Sequence, residues 1–177
     1  MPPSRTTSID RLPAFDDEEN LTAIVEAIRG SRSKFKYDEK RRVFVLDSTL
    51  PAGATYPFDF GFVPSTKAQD GDPIDVLILM DEPAFVGAVV PARLVGAIQA
   101  EQTECDGETV RNDRLIAVAT SSHTYRGVES LDTLPPNLVD EIEHFWISYN
   151  QIKGKTFTPI GRVGPRGAKH LVLEAKR

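Results

Sequence analysis

Three aspartates lie within one hexapeptide, Asp70-Gly71-Asp72-Pro73-Ile74-Asp75, and the apolar run 76–80 follows it directly. Glycine and proline favour a turn, and the apolar run predicts a buried strand behind that turn. Carboxylates this close repel one another by several kcal/mol at a low effective dielectric constant. A hard divalent cation would offset the repulsion, because such ions prefer oxygen ligands. The hexapeptide therefore predicts a metal site, and a solvated acidic turn is the alternative interpretation.

Three other kinds of site are excluded by their spacing. An EF-hand loop counted from Asp70 needs glycine at position 75 and glutamate at position 81, and both positions hold aspartate. A P-loop ending at the Gly-Lys-Thr of residues 154–156 needs glycine where the chain has Tyr149. The three histidines are scattered without a zinc-ligand spacing.

A basic segment precedes the acidic hexapeptide. If residues 31–37 form a strand, its period of two places Arg32, Lys34 and Lys36 on one face, roughly 7 Å apart. Such a row can hold a polyanion, and a solvated basic face is the alternative. Glu26 stands alone within the apolar run 21–28, either as an outlier on an edge strand or as a functional carboxylate.

Short strands are the elements that must position these residues. A helix opening at Pro135-Pro136 carries one apolar stripe at steps of three and four residues. The combination of many strands and one late helix favours a small β-barrel with flanking helices. Apolar content and turn residues predict strands over residues 21–28, 31–37, 43–46, 76–80, 89–100 and 111–119. The strand at 43–46 is expected to belong to the core.

Composition indicates an ordinary globular protein of 177 residues. A net charge of −5 gives no support to a nucleic-acid or membrane partner. A single cysteine excludes an internal disulfide, and no run reaches the length of a membrane-spanning helix. We therefore expect a cytoplasmic protein with a polar N-terminal arm at 1–20 and one domain at 21–177.

The motif D-G-D-P-I-D-V resembles the signature of the soluble, family I inorganic pyrophosphatases. Further motifs follow that family in order: E-x-x-x-G-S-R-S-K-F-x-Y-D at 26–38, Y-P-x-x-x-G-F at 56–62, N-D-R-L-I-A-V at 112–118 and E-H-F-x-x-x-Y at 143–149. The resemblance covers about residues 20–160. It implies an α+β, mainly β fold, a five-stranded OB-like closed barrel with flanking helices. It also implies Mg²⁺-dependent hydrolysis of pyrophosphate to two phosphates, and a homo-oligomer, since bacterial relatives are commonly hexamers.

The resemblance also implies roles for individual residues. Asp75 would bridge two metal ions, Asp70 would ligate one, and Asp72 would take the proton of the attacking water. Glu26 would lie near a substrate-bound metal ion. The residues expected to bind substrate are Lys34, Lys36, Tyr56, Arg114 and Tyr149, with Asp47 behind the metal ligands.

The chain departs from the family pattern at six positions. A glutamate of the family falls on Lys36, an arginine on Ser48, a tyrosine on Phe60, a metal-binding aspartate on Asn112, and lysines on Arg114 and Asn150. The adjacent Asp113 is the candidate to replace the lost metal ligand. The charge changes nearly cancel, so the site still suits a polyanion, but it loses an arginine fork. Two alternatives to a divergent pyrophosphatase stay open: a barrel that binds a phosphorylated ligand or partner without turnover, and a hydrolase of another phosphoanhydride.

Overall fold

Nine strands and two α-helices follow one another in the computed structural model, which describes residues 7–177. Short 3₁₀ turns occupy Ile9–Arg11 and Leu131–Thr133. The elements are β1 (Leu21–Ala27), β2 (Ser33–Asp38), β3 (Val43–Thr49), β4 (Asp59–Phe62), β5 (Asp75–Leu79), β6 (Val89–Thr103), β7 (Thr109–Arg111), β8 (Arg114–Ala119), α1 (Pro136–Ile152), β9 (Thr156–Val163) and α2 (Pro165–Glu174).

Five strands close into a ring in the order β1-β4-β5-β8-β6, and β6 pairs back with β1. All neighbours in the ring are antiparallel except β5 and β8, which run parallel. The 15 residues of β6 also extend beyond the ring, where they pair with β7 and β9. The ring and the two helices confirm the predicted mainly-β barrel with flanking helices.

Gly61 allows β1 and β4 to approach each other closely. It pairs with Val25, and a Cβ atom built on Gly61 would lie 1.8 Å from the carbonyl oxygen of Ile24. No side chain fits in that space, so only glycine permits this contact in the ring.

Alternate residues of β5 pack into two different apolar clusters. Leu77 and Leu79 belong to the cluster that includes the buried stripe of α1, whereas Val76 and Ile78 belong to the cluster that includes α2. A strand covered on both faces reads as a continuous apolar run, which is why 76–80 was recognisable. The helix predicted after Pro135 is confirmed, and its stripe is buried at Val139, Ile142, Trp146 and Tyr149.

Strands β2 and β3 form a separate two-stranded sheet, which we call the hairpin. The prediction that 43–46 is a core strand was wrong, because Val43, Val45 and Leu46 are exposed. Strand β3 pairs only with β2 among the described residues, and an apolar run indicates a strand without showing whether anything covers it.

The N-terminal segment from residue 7 onward lies against the barrel. Ala14 is buried, and its carbonyl oxygen accepts a hydrogen bond of 2.9 Å from the backbone N–H of Thr22. Residues 1–6 of the arm predicted at 1–20 lie outside the described residues.

Candidate active site

A cavity of about 240 Å³ lies at the edge of the ring where β5 and β8 begin. Among its lining residues are five basic and four acidic side chains, although the whole chain has a net charge of −5. The lining comprises Lys34, Lys36, Asp47, Phe60, Asp70, Asp72, Asp75, Gln102, Asn112, Arg114, Trp146, Tyr149, Asn150, Lys153 and Lys155. Positive and negative groups in one small cavity suit a ligand that combines a cation with a polyanion.

Asp75 and Arg114 form the floor of this pocket. They are the first residues of β5 and β8, and the parallel ladder places them directly opposite each other. The Arg114 guanidinium donates a hydrogen bond to the Asp75 carboxylate, and its Nη1 also lies 2.5 Å from Oδ1 of Asn112. The guanidinium carbon lies 4.8 Å from the ring centre of Trp146 and 5.5 Å from that of Phe157. Backbone pairing and stacking together hold this ion pair in place.

Asp70 lies beside this floor and is held by an amide. Nδ2 of Asn112 donates hydrogen bonds of 3.1 Å to Oδ2 of Asp70 and 3.1 Å to Oε1 of Gln102. Burial raises the pKa of Asp70, and the carboxylates of Asp75 and Asp72 add to the rise. Asp70 therefore lies near two other carboxylates, while its own side-chain partner is the uncharged amide of Asn112.

Asp72 and Lys36 form an ion pair at the mouth of the pocket. The Lys36 ammonium donates to both carboxylate oxygens of Asp72, at 2.9 and 3.1 Å. Their side chains are 52% and 58% exposed, whereas those of Arg114 and Asp75 are 5% and 18% exposed. The two ion pairs thus differ mainly in their access to water.

Lys34 and Glu26 form a more buried pair. The Lys34 ammonium lies 3.7 Å from the Glu26 carboxylate and 5.0 Å from the ring centre of Phe60. Burial raises the pKa of Glu26 to about 7, against the opposing effect of Lys34. Glu26 does not line the main pocket, but it lines an adjoining cavity of about 180 Å³ that also includes Lys36 and Asp72.

Tyr149 and Tyr56 occupy different depths. Tyr149 lines the pocket, and its hydroxyl accepts a hydrogen bond of 2.6 Å from the Lys153 ammonium. Tyr56 does not line the pocket, because it is buried behind Tyr149 with 6.0 Å between the ring centres. Burial also raises the pKa of the Tyr56 hydroxyl.

Asp113 does not reach the pocket. Its Oδ1 accepts hydrogen bonds of 2.6 Å from Nε of Arg111 and 3.0 Å from the backbone N–H of Ala100. With Arg111 it lines a separate cavity of about 490 Å³ beside α2. Successive residues of an extended chain point to opposite sides, so Asn112 shares the pocket side with Arg114 and Asp113 does not.

Sequence reasoning overlooked several residues of the pocket. Lys153 follows Tyr149 by one helical turn, a spacing that brings two side chains together and could have been recognised. Lys155 lines the pocket and forms a 2.5 Å ion pair with Glu104, a contact between distant segments that no local pattern reveals. The remaining lining residues that were not predicted to bind are Asp47, Phe60, Gln102, Asn112, Trp146 and Asn150. Of these, Asp47 was expected to lie behind the metal ligands.

The oxygen donors of Asp70, Asp72 and Asp75 fit a hard divalent cation, because three carboxylates line one pocket. Within residues 7–177, no three His, Cys, Asp or Glu side chains already converge as a metal cage. Each of these carboxylates is instead turned toward a basic or amide partner. A cation that binds Asp72 competes with Lys36, which engages both oxygens of that carboxylate, whereas Asp75 is engaged by Arg114 through Oδ2.

Comparison with known proteins identifies relatives along nearly the whole chain. A family model described as inorganic pyrophosphatase matches residues 23–177. The inorganic pyrophosphatase of Nostoc sp. is 35% identical over 153 residues, covering 86% of this chain and 88% of that protein. That of Haloferax volcanii is 35% identical over 164 residues, covering 92% and 89%.

Solved structures agree with the sequence relatives. The crystal structure of inorganic pyrophosphatase from Thermus thermophilus superimposes with a TM-score of 0.85 at 30% identity, covering 96% of this chain and 97% of that chain. The inorganic pyrophosphatase from Helicobacter pylori gives a TM-score of 0.82 at 29% identity, covering 93% and 95%. Across residues 7–177, no helix is both long and apolar enough to cross a membrane.

Proposed function

This chain belongs to the inorganic pyrophosphatase family, and from that premise we propose how its pocket carries out the reaction. The chain is a metal-dependent hydrolase that converts inorganic pyrophosphate into two phosphates. The observation that carries the assignment of residues is the meeting of acidic and basic side chains in one cavity. Pyrophosphate needs both, since it is a polyanion that reacts with the help of cations.

We propose that Mg²⁺ is the metal and that Asp70 and Asp75 would hold it. When bound, it lowers the pKa of an attacking water and offsets the charge that develops on the phosphate oxygens. Asp113 is left out of this ligand set, because Arg111 and the Ala100 amide already hold its carboxylate. We propose that Glu26 contributes to substrate binding from the adjoining cavity, through its ion pair with Lys34, which lines the main pocket.

The basic side chains bind and orient the substrate. Lys34 and Lys36 come from β2, Arg114 from β8, and Lys153 from the position directly after α1. We propose that they hold phosphate oxygens, with the Tyr149 hydroxyl as a further donor. Tyr56 supports Tyr149 from behind, because the two rings pack together and Tyr56 lies outside the pocket.

Asp72 receives the proton of the attacking water in this proposal. The water oxygen attacks one phosphorus, the bond from that phosphorus to the bridging oxygen breaks, and the second phosphate leaves with that oxygen. Asp72 suits the task because its carboxylate lies at the open mouth of the pocket, where water reaches it. A general base needs that reach before any other property.

A barrel that binds without turnover is not favoured. All three aspartates of the hexapeptide remain in the pocket, and Lys153 supplies a cation beside Tyr149 although Asn150 lacks one. We further propose Mg²⁺-pyrophosphate as the substrate form, a cytoplasmic location, assembly into a homo-oligomer such as a hexamer, and no nucleic-acid or membrane partner. The acidic net charge of −5 supports the last of these.

The test is phosphate release from pyrophosphate by purified protein with Mg²⁺, beside an EDTA control and an Asp70→Asn variant prepared identically. We expect release by the wild type, loss with EDTA, and a drop of about a hundredfold or more in the variant. Equal release by both preparations would reveal a contaminating host enzyme. No release with Mg²⁺, Mn²⁺ or Co²⁺ would contradict the assignment and favour a binding-only barrel.

A further inference from the structure

The Lys36–Asp72 ion pair is the one that an incoming cation can open most easily. Its two side chains are 52% and 58% exposed, and exposed ion pairs contribute little to stability. The Arg114–Asp75 pair at the floor is 5% and 18% exposed and is stacked on aromatic rings. Asp72 is therefore the carboxylate from which a basic partner separates at the lowest cost.

The backbone of Lys36 is fixed while its ammonium is free to move. Lys36 pairs with Val45 in the hairpin ladder, so its Cα position is set. Its four-carbon side chain can swing away from Asp72 without any change in the sheet. Lys34 lies two residues earlier on the same strand face and also lines the pocket. A Lys36 ammonium that leaves Asp72 can therefore join Lys34 at a bound anion.

We propose that Lys36 exchanges between two partners, the Asp72 carboxylate in the free protein and a phosphate oxygen when cation and anion bind. This inference rests on the proposed function, since it needs both ligands in the same pocket. The cation, which Asp70 and Asp75 hold and which the negative charge of Asp72 attracts, competes with Lys36 for Asp72, while the anion and Asp72 compete for Lys36. Each ligand then removes an obstacle to the other, which makes their binding mutually favourable.

The exchange has opposite consequences for the two ligands when Lys36 is shortened to an uncharged side chain. In Lys36→Met, Asp72 is free, so the protein without anion binds Mn²⁺ about three- to tenfold more tightly. The same variant binds inorganic phosphate about tenfold more weakly, because the pocket has lost one of its cations. The factor by which phosphate tightens Mn²⁺ binding also falls.

The experiment measures Mn²⁺ binding by electron paramagnetic resonance and phosphate binding by calorimetry, each alone and then with the other ligand present. Lys153→Met is the matched control, because it removes one positive charge from the same pocket but frees no carboxylate. It is expected to weaken phosphate binding and to leave Mn²⁺ affinity within about twofold. Lys40→Met removes a charge from the hairpin turn outside the pocket and controls for net charge.

The outcomes separate this inference from the proposed function. The exchange is supported if Lys36→Met binds phosphate more weakly and Mn²⁺ more tightly, and if the gain in Mn²⁺ affinity occurs in that variant alone. If Mn²⁺ affinity is unchanged or reduced in Lys36→Met, or rises equally in Lys153→Met, the exchange is overturned while the proposed function stands. If the wild type binds neither Mn²⁺ nor phosphate, both are overturned.

Discussion

The ring and the hairpin both contribute charged side chains to one pocket, but they hold those side chains with different rigidity. Asp75 and Arg114 belong to ring strands that pair on both sides, and they face each other across a ladder. Lys34 and Lys36 belong to β2, which pairs only with the partly exposed β3 among the described residues. The ring therefore fixes the Asp75–Arg114 floor, while the hairpin presents Lys36, an exposed cation that can follow the ligand.

This division matters because catalysis needs both properties. Groups that stabilise developing charge are most effective when the fold holds them in place beforehand. Groups that admit substrate and release product work better when they can move at little cost. Substitutions in the ring and in the hairpin should therefore have different effects on catalysis and on substrate binding.

The floor should be the least tolerant part of the pocket. Asp75→Asn removes a charge that Arg114 needs and a proposed metal ligand, so we expect kcat to fall by about a thousandfold or more. The measurement is steady-state phosphate release at saturating Mg²⁺. Asp113→Asn makes the same chemical change at the residue before Arg114, where the carboxylate faces Arg111 and not the pocket. It is expected to keep kcat within about threefold. Equal losses in both variants would contradict the placement of Asp113 outside the site.

Closure of the ring should depend on Gly61. A Cβ atom there meets the Ile24 carbonyl at 1.8 Å, so Gly61→Ala should lower the free energy of unfolding by about 3 kcal/mol or more. Gly127 has no atom within 4 Å of such a Cβ, and Gly127→Ala should change the free energy by less than about 0.5 kcal/mol. Urea unfolding followed by circular dichroism measures both. If Gly61→Ala is tolerated, β1 and β4 can move apart at this point of the ring without loss of stability.

The hairpin should influence substrate affinity more than the chemical step. Lys34→Met removes a cation that lines the pocket, and we expect KM for pyrophosphate to rise about tenfold to fiftyfold with a smaller change in kcat. Lys40→Met, in the same hairpin but outside the pocket, serves as the control and should leave KM unchanged. A fall in kcat alone would show that Lys34 belongs functionally with the fixed floor.

A carboxylate near the other end of β5 should affect stability and not activity. Asp81 follows that strand and accepts hydrogen bonds of 2.8 Å from Ser122 Oγ, 2.8 Å from the His123 N–H and 3.0 Å from the Thr124 N–H. These donors, the His123 amide first, hold the pKa of Asp81 well below its usual range. Since the folded-state pKa is depressed, the stabilisation is present above the unfolded value of about 4 and is lost as pH falls toward the folded value.

Melting temperatures of the wild type and Asp81→Asn, measured from pH 7 to pH 2.5, test this point. The difference between them should shrink as the pH falls below about 4, while kcat at neutral pH stays unchanged. A difference that is independent of pH would show that the Asp81 charge is not what stabilises this loop.

Sequence patterns revealed the parts of the molecule in which one short segment carries the information. The run after Asp75 is continuously apolar and the stripe of the helix after Pro135 is periodic, so β5 and α1 could be predicted. The exposure of Val43 and Leu46 could not, because burial depends on whether another element covers the strand. The ladder between Asp75 and Arg114 joins residues 39 positions apart, and its register is invisible to local reasoning.

The pocket shows the same limit at finer scale. Asp113 was the natural substitute for a carboxylate missing at position 112, but the alternation of an extended chain turns it to the other side. Lys153 compensates near Asn150 through a helical spacing that was available in the sequence. Charge type could thus be inferred from the residues, whereas the direction in which each charge points required the fold.

The burial of Trp146 gives this protein a built-in optical reporter. Trp146 is the chain's single tryptophan, and its ring centre lies 4.8 Å from the Arg114 guanidinium carbon. Indole emission responds to nearby charge, so any ligand that draws Arg114 toward it alters the fluorescence of one known residue. Stopped-flow recording can therefore time the arrival of pyrophosphate and the departure of phosphate on unlabelled, unmodified protein.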